Sequence, residues 1–334
     1  MKIKIFAGIA ACAGLLGTIL LIGYYGFGAV VGALLGLGWG LVWVSLFHIV
    51  PMICSALGWW ALQNATSPGP PLLYIWVRWI RESANALLPV AQVGGELIGA
   101  RILTIHGAKG SVAVAGSLVD MTMEVITQFL FTLLGIALLV ALRGYDSTTG
   151  WLVVGAGVAA LALGGFVLAQ RRGLFMLLER GLEYLARKTG WSALGRANGL
   201  HDAVVALHED PRGLAISCIF HSLSWVVGAG EIWLALYFMG HPVGVIEALI
   251  IESLGQAVRS AAFAVPGALG AQEGGYLLVG GLLGLSPELA LALSLVKRVR
   301  DLLLGVPGLL AWQLSEGRVL ISLARRAGKR PAER

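Results

Sequence analysis

The stretch F-A-V-P-G-A-L-G-A-Q-E-G-G-Y-L-L, residues 263–278, decides how this chain folds. It lies in a long apolar region, yet it contains Pro266, four glycines and one carboxylate, Glu273. Proline and closely spaced glycines interrupt helices, and a lone carboxylate in hydrocarbon costs about 2.5–3.5 kcal/mol on insertion scales. We therefore expect a broken segment lined by protein, with a partner for Glu273.

The composition is that of an integral membrane protein. Of the 334 residues, 57% are hydrophobic and only 13% are charged, whereas a soluble domain carries about 25% charged residues. The mean hydropathy is +0.83. The net charge of +6 is attributed to basic loops that face anionic lipid, not to nucleic-acid binding. The three cysteines lie in apolar segments without metal-ligand spacing, so neither a metal nor another cofactor is predicted.

Six segments are long enough to cross a bilayer, since a span needs about 20 residues. They are about 5–25, 28–62, 111–143, 150–170, 213–240 and 286–316. The first is interpreted as an uncleaved helix because its apolar run continues to about Tyr25. The second is longer than a span needs, and Pro51 predicts a kink in it.

Basic residues predict the orientation. Segment 171–212 and the tail from Arg318 are rich in arginine and lysine, whereas the opposite loops hold little beyond Arg143. Basic loops stay on the cytoplasmic side, so both termini and 171–212 are predicted to be cytoplasmic. The mixture of apolar and charged residues in 171–212 favours interfacial helices that lie on the membrane.

A shift of 177 residues aligns the first broken region with the second. Eleven of 42 positions are then identical without a gap, including Pro89 with Pro266 and Glu96 with Glu273. The repeat units are 83–143 and 260–316, within a single membrane domain of residues 1–334.

Loop charges predict that the two units run in opposite directions. The span 111–143 runs outward and the span 286–316 runs inward. Paired segments that are interrupted by glycine and proline in inverted halves are typical of transporters, whose substrate site lies near the membrane midplane. The predicted fold is all-α and polytopic, with about six transmembrane helices and two inverted re-entrant hairpins.

The hairpin turns and the charges near them are the candidate functional residues. The turns are assigned to Pro89, Gly94, Gly95, Pro266, Gly267 and Gly270. The candidates for substrate binding and translocation are Glu96, Arg101, Asp120, Glu124, Arg259, Glu273, Lys297, Arg298, Arg300 and Asp301. Each could instead serve as a helix cap or a structural ion pair, but a cluster of intramembrane charges favours a polar cavity.

Spacing adds more specific expectations for these charges. Asp120 and Glu124 lie four residues apart and share a helical face. Asp301 shares a face with Lys297, four residues before it, and with Arg298, three residues before it. Lys297, Arg298 and Arg300 are the cations available near the second turn, and Arg101 lies nearer the first.

At V-P-G-A-L-G-A-Q-E the chain resembles the flippase-like transmembrane family typified by the membrane half of lysylphosphatidylglycerol synthases. The turn P-G-x-x-G-x-x-E, the segment G-G-E-L-I-G-A-R (94–101) and the helix K-R-V-R-D (297–301) carry the resemblance. With H-G-A-K-G before the third long helix, the pattern is most similar to the hopanoid-biosynthesis-associated branch called HpnL. The resemblance implies a multi-pass protein of the bacterial inner membrane that moves a polar-headed lipid or hopanoid between leaflets.

Two other functions remain open at this point. One is an intramembrane enzyme that modifies a polyprenyl or hopanoid lipid. Because no nucleophile–base pair, metal-ligand spacing or aspartate-rich motif is evident, a non-enzymatic role is expected. The other is a non-transporting scaffold that recruits lipid-biosynthesis enzymes through 171–212.

Overall fold

The computed structural model describes residues 27–64, 66–67, 69–88, 94–145, 147–171, 199–262 and 265–327. All regular structure in these residues is helical, in agreement with the predicted all-α class. The predicted span 5–25, the turn residue Pro89 and positions 172–198 of the predicted interfacial segment lie outside the described residues.

The structure describes twelve α-helices. They are α1 (Phe27–Gly36), α2 (Gly40–Phe47), α3 (Ile49–Gln63), α4 (Pro71–Leu87), α5 (Gly94–Ile105), α6 (Gly110–Arg143), α7 (Ser147–Arg171), α8 (Leu200–His208), α9 (Pro211–Phe238), α10 (Val245–Ala261), α11 (Ala271–Leu282) and α12 (Pro287–Ala327). A 3₁₀ turn, Pro266–Ala268, lies between α10 and α11.

Four described stretches are long and apolar enough to cross a membrane: Gly40–Gln63, Gly110–Arg143, Thr149–Leu168 and Pro211–Phe238. They correspond to the second to fifth predicted spans. The sixth prediction, 286–316, falls within the 41-residue helix α12. This helix is not one of the four, because charged residues from Lys297 to Asp301 interrupt its apolar sequence.

The predicted long second span is divided into α1, α2 and α3. Gly38 adopts a positive φ of 49° between α1 and α2, a conformation that glycine tolerates well. Pro51 is the third residue of α3. A proline is accommodated in the first helical turn, where its missing N–H has no intrahelical acceptor. The helix therefore restarts just before Pro51, at His48.

Helix boundaries repeat with the 177-residue offset. Helix α5 begins and ends 177 residues before α11, and α6 begins 177 residues before α12. The glycines that follow the two shorter helices, Gly107 and Gly284, both have positive φ, 101° and 81°. Such left-handed glycines commonly end helices. Helices α4 and α10 are the remaining counterparts, and each precedes a hairpin turn.

The two hairpins pack crosswise against the long helices. Helix α4 contacts α12, and its counterpart α10 contacts α6. Within each half, α5 packs against α6 in the same way that α11 packs against α12, and α3 packs extensively along α9. Each hairpin is thus held by both halves of the chain.

Small residues allow the crosswise contacts to be close. A Cβ atom at Gly135 of α6 would overlap the hydroxyl of Ser253 on α10. In the other half, a Cβ atom at Gly308 of α12 would overlap the hydroxyl of Ser83 on α4. Close backbone approach at small residues is a common way to pack helices in membranes.

Candidate functional site

The predicted turn residues within the described ranges lie at the two hairpin turns, where their small size or backbone conformation is needed. Gly94 and Gly95 open α5, and the Gly95 N–H donates to Asn85 Oδ1 at 2.8 Å. A Cβ atom at Gly95 would overlap the carbonyl oxygen of Arg81, so the position requires glycine. In the second turn Gly267 and Gly270 have φ values of 60° and 79°, and Pro266 begins the 3₁₀ turn.

Glu96 and Glu273 occupy the third position of α5 and α11, respectively. Glu273 accepts a hydrogen bond from Gly270 N–H at 2.8 Å, so its side chain caps the start of α11. It also accepts from Ser294 Oγ at 3.0 Å and pairs with Arg298 Nε at 3.1 Å. Arg298 also donates to the carbonyl of Gly267, so this carboxylate and this arginine hold the turn together.

Arg81 of α4 is the centre of the first cluster, which we define as Arg78, Arg81, Glu82, Glu96, Asp120, Glu124 and His221. Its Nε lies 2.7 Å from Glu96 Oε1, its Nη1 2.5 Å from Asp120 Oδ2 and its Nη2 2.8 Å from Glu124 Oε2. One guanidinium therefore serves three carboxylates from two helices. Its Cζ lies 5.2 Å from the Trp59 ring centroid, within the range of a cation–π contact.

Two further basic side chains complete the first cluster. Arg78 pairs with Glu124 at 2.7 Å and with Glu82, four residues later on α4, at 2.6 Å. His221 of α9 places Nε2 2.9 Å from Asp120 Oδ1, and both side chains are fully buried. The cluster thus ties the first hairpin to α6 and α9.

The second cluster consists of Glu231, Glu252, Arg259, Glu273, Lys297, Arg298, Arg300 and Asp301. Lys297 donates to Glu252 of α10 at 2.5 Å, and its Nζ lies 5.8 Å from the Tyr276 ring centroid. Arg300 binds Glu231 of α9 and, at 2.5 Å, the neighbouring Asp301. The second cluster therefore joins the second hairpin to α9 and α12.

His48 connects the two clusters. This residue lies between α2 and α3, with Nδ1 2.5 Å from Glu231 Oε1 and Nε2 3.5 Å from Glu82 Oε2. Arg300 Nη1 approaches its Nδ1 to 3.0 Å. Charged side chains consequently form one continuous chain of contacts from the first hairpin to the second.

Most of the connected network is buried, but one edge is accessible. Between 14% and 29% of the side-chain surface is exposed at six of its members: Arg298, beside the second turn, and five others, His48, Glu82, Glu124, Arg259 and Asp301. We call these five other residues the accessible edge. With the 177-residue offset, Glu82 corresponds to Arg259 and Glu124 to Asp301. The accessible edge is therefore built from matching positions in the two halves.

The family of the chain is shown by its sequence. The sequence model of the family described as "Lysylphosphatidylglycerol synthase TM region" matches residues 5–308, which is most of the chain. The chain belongs to this family. It is therefore a membrane protein of a lipid-related family. Searches of the curated proteins and of the solved structures found no match to this chain.

In this member of the lysylphosphatidylglycerol synthase TM family, most of the predicted site residues lie in the two clusters. Arg101 is the exception, because the described partner of Glu96 is Arg81 and the side chain of Arg101 is exposed. Arg81, rather than Arg101, is therefore the described cation beside Glu96. Arg101 lies five residues after Glu96, so on a helix with 3.6 residues per turn it leaves from a different face.

Residues that share a helical face also share a partner on α6, whereas on α12 they have separate partners. Asp120 and Glu124 both reach Arg81, as their shared face predicts. On α12, in contrast, Asp301 pairs with Arg300 and Arg259, while Lys297 pairs with Glu252 on another helix. Lys297 is paired with Glu252 on α10 and Arg298 with Glu273 on α11, so tertiary contacts replace the contacts within the helix.

Seven members of the network are absent from the candidates chosen on sequence: His48, Arg78, Arg81, Glu82, His221, Glu231 and Glu252. Arg78, Arg81 and Glu82 lie in W-V-R-W-I-R-E, where a spacing of three and four residues places charges on one helical face. That pattern was a usable signal. The histidines are single polar residues in apolar helices, and nothing in the local sequence reveals their partners.

Proposed function

We propose that this protein is a lipid translocase that moves a polar-headed lipid, such as a phospholipid or a hopanoid, between membrane leaflets. Its lipid-related family supports this proposal, as does the placement of charged residues at both hairpins. A polar head group crossing hydrocarbon needs polar partners, just as a charged side chain does. We place the protein in the bacterial inner membrane with both termini cytoplasmic, in the hopanoid-associated HpnL branch, with no catalytic role.

The accessible edge is the single observation that carries this proposal. Arg259 makes one described ion-pair contact, 3.8 Å from Asp301, which is longer than a hydrogen bond. Its guanidinium therefore retains donors for a phosphate or hydroxyl group of a lipid. Glu82 and Glu124 on the opposite half can accept hydrogen bonds or an ammonium group. The site thus offers both charges to a head group while lipid tails remain in the bilayer.

Helix lengths support entry of the hairpins from opposite faces. Helices α5 and α11 have 12 residues each, about 18 Å at 1.5 Å per residue, which is too short to cross about 30 Å of hydrocarbon. Each hairpin then returns to the face from which it entered. If α6, α7 and α9 cross the membrane and 172–198 does not, the second hairpin enters from the face opposite to the first.

The test is translocation by the purified full-length protein in liposomes. Acyl-labelled phosphatidylglycerol, phosphatidylethanolamine and a polar-headed hopanoid are reconstituted separately, and the label in the outer leaflet is quenched chemically. We expect a protein-dependent rate that falls at least about tenfold in Arg259→Gln, which equals about 1.4 kcal/mol of transition-state stabilisation. Arg212→Gln is the matched control, because Arg212 is exposed at the start of α9.

Failure of the folded protein to move any of these three lipids would overturn the proposal. Conversion of a lipid into a new product in the same liposomes would instead support an intramembrane enzyme. A scaffold for lipid-biosynthesis enzymes predicts that deleting residues 172–198 abolishes function in cells, whereas Arg259→Gln leaves it intact.

A further inference from the structure

The two clusters differ in their charge balance. Among the described residues, the second cluster contains four cations and four carboxylates. The first cluster contains four carboxylates but only two arginines. The undescribed positions of the hairpin turns, 89–93 and 263–264, contain no ionisable side chain. The first cluster therefore carries two more negative than positive charges when its carboxylates are ionised and His221 is neutral.

Excess negative charge inside a membrane protein is costly. Carboxylates that share one site disfavour each other's ionisation, and burial disfavours the charged form further. Arg81 faces Glu96, Asp120 and Glu124 at 2.5 to 2.8 Å. A single positive charge cannot neutralise three carboxylates, so these contacts favour binding of a proton within the cluster.

Glu96 has the environment that a proton-binding carboxyl group needs. Its side chain is 6% exposed, and Oε1 takes the contacts with Arg81 at 2.7 Å and Asn85 at 3.4 Å. Its second oxygen, Oε2, has no hydrogen-bond partner in the described part of the chain. A buried oxygen without a donor costs more when it carries charge than when it is neutral.

The corresponding carboxylate in the second half provides an internal comparison. Both oxygens of Glu273 are occupied, by Ser294 and Arg298 on one side and by Gly270 N–H on the other. Donors on both oxygens stabilise the ionised form. The two corresponding carboxyl groups therefore differ. Glu273 has donors at both oxygens, which favours its ionised form, whereas Glu96 Oε2 lacks a described donor.

We propose that Glu96 is a proton-binding site and that it holds a proton at neutral pH. The charged groups that face it are Arg78 and Arg81 from α4, and Asp120 and Glu124 from α6. Uptake of one proton from water forms an O–H bond on Glu96 and lowers the negative charge of the cluster by one. Arg81 is then shared by two carboxylates of α6, whereas deprotonation makes it serve three.

Arg81 links the protonation state of Glu96 to the position of the first hairpin. Glu96 lies in the first turn of α5, while Asp120 and Glu124 lie on α6. Release of the proton strengthens the contact between Arg81 and the hairpin. If the proposed lipid translocation holds, the rate of translocation then depends on a proton gradient. The proton site itself does not depend on that function.

Infrared spectroscopy of the purified full-length protein in an ester-free detergent tests the proton site directly. A protonated carboxyl group gives a carbonyl stretch that is separate from the bands of carboxylates. We expect this band in the wild type at neutral pH and its loss in Glu96→Gln. Glu96→Asp keeps a carboxyl group and should shift the band, with folding checked by circular dichroism and gel filtration.

Two controls define the outcome. Glu273→Gln, at the matching position, and Glu209→Gln, at an exposed position, should both keep the band. If the wild type lacks the band, or if folded Glu96→Gln retains it, the proposal is overturned.

Liposomes with an imposed pH gradient separate this proposal from the proposed function. Translocation that ignores the gradient in a protein that shows the band would remove the coupling while leaving the proton site. The band in a protein that moves no lipid would leave the proton site and remove the translocase.

Discussion

Asp120 and Lys297 occupy corresponding positions on α6 and α12, and they form the same kind of contact with opposite charge. Asp120 accepts a hydrogen bond from Arg81 of α4 at 2.5 Å, while Lys297 donates one to Glu252 of α10 at 2.5 Å. In each half a buried charge on the long helix pairs with the first helix of the hairpin. The repeat has kept a buried charge at this position of the long helix and exchanged its sign, while the partners lie at different positions of α4 and α10.

The pair between Lys297 and Glu252 should show strong coupling in a double-mutant cycle. Lys297→Glu and Glu252→Lys each leave buried like charges, and removal of one partner of a buried pair costs about 3–5 kcal/mol. The double exchange restores opposite charges and should recover about 0.5–3 kcal/mol. Thermal unfolding of the three variants in detergent measures this, and strictly additive losses would contradict a direct ion pair.

Loss of Arg81 should destabilise the protein more than loss of an exposed arginine. Arg81→Gln leaves Glu96, Asp120 and Glu124 short of a cation in a buried site. We expect the free energy of unfolding to fall by about 3–5 kcal/mol, whereas Arg212→Gln should change it by less than about 0.5 kcal/mol. Denaturant unfolding in mixed micelles compares the two, and equal stabilities would show that Arg81 does not hold the cluster together.

The close contact between α6 and α10 predicts a strong dependence on side-chain size. Gly135→Ala places a methyl group against Ser253, whose hydroxyl is buried and bonded to the Ile250 carbonyl. Overpacking of this kind costs about 1–3 kcal/mol. Gly157→Ala on α7 meets nothing within 4 Å and should be neutral or stabilising, since alanine favours helices. Melting temperatures of the two variants test the difference.

The positions just before α6 and α12 should lie on opposite sides of the membrane. Lys109 and Ser286 are separated by 177 residues, and both are exposed. Single cysteines introduced at these two positions, in a background without Cys12, Cys54 and Cys218, report their location. We expect a membrane-impermeant thiol reagent to label one of them in right-side-out vesicles and the other in inverted vesicles. Labelling of both from the same side would exclude the inverted arrangement.

Much of the fold could be predicted because its signals are local. Four of the six predicted spans match stretches that are long and apolar enough to cross a membrane, and glycine with proline marked both turns. Two features of the fold did not follow from these local signals. Pro51 predicted a kink at its own position, but the break lies three residues earlier, at His48, because a proline fits the first turn of a helix. The charges of α12 lower its mean hydropathy, so its length does not appear in a hydropathy measure.

By itself the sequence determined that the chain is a helical membrane protein with a repeat and with carboxylates at two broken segments. These properties follow from composition, helix-breaking residues and the spacing of identical positions. Only the tertiary structure decided which charges meet, because partners such as Arg81 and Glu96 or Lys297 and Glu252 lie on different helices. The energy of a buried charge depends on what surrounds it in space, and neighbours along the chain do not specify those surroundings.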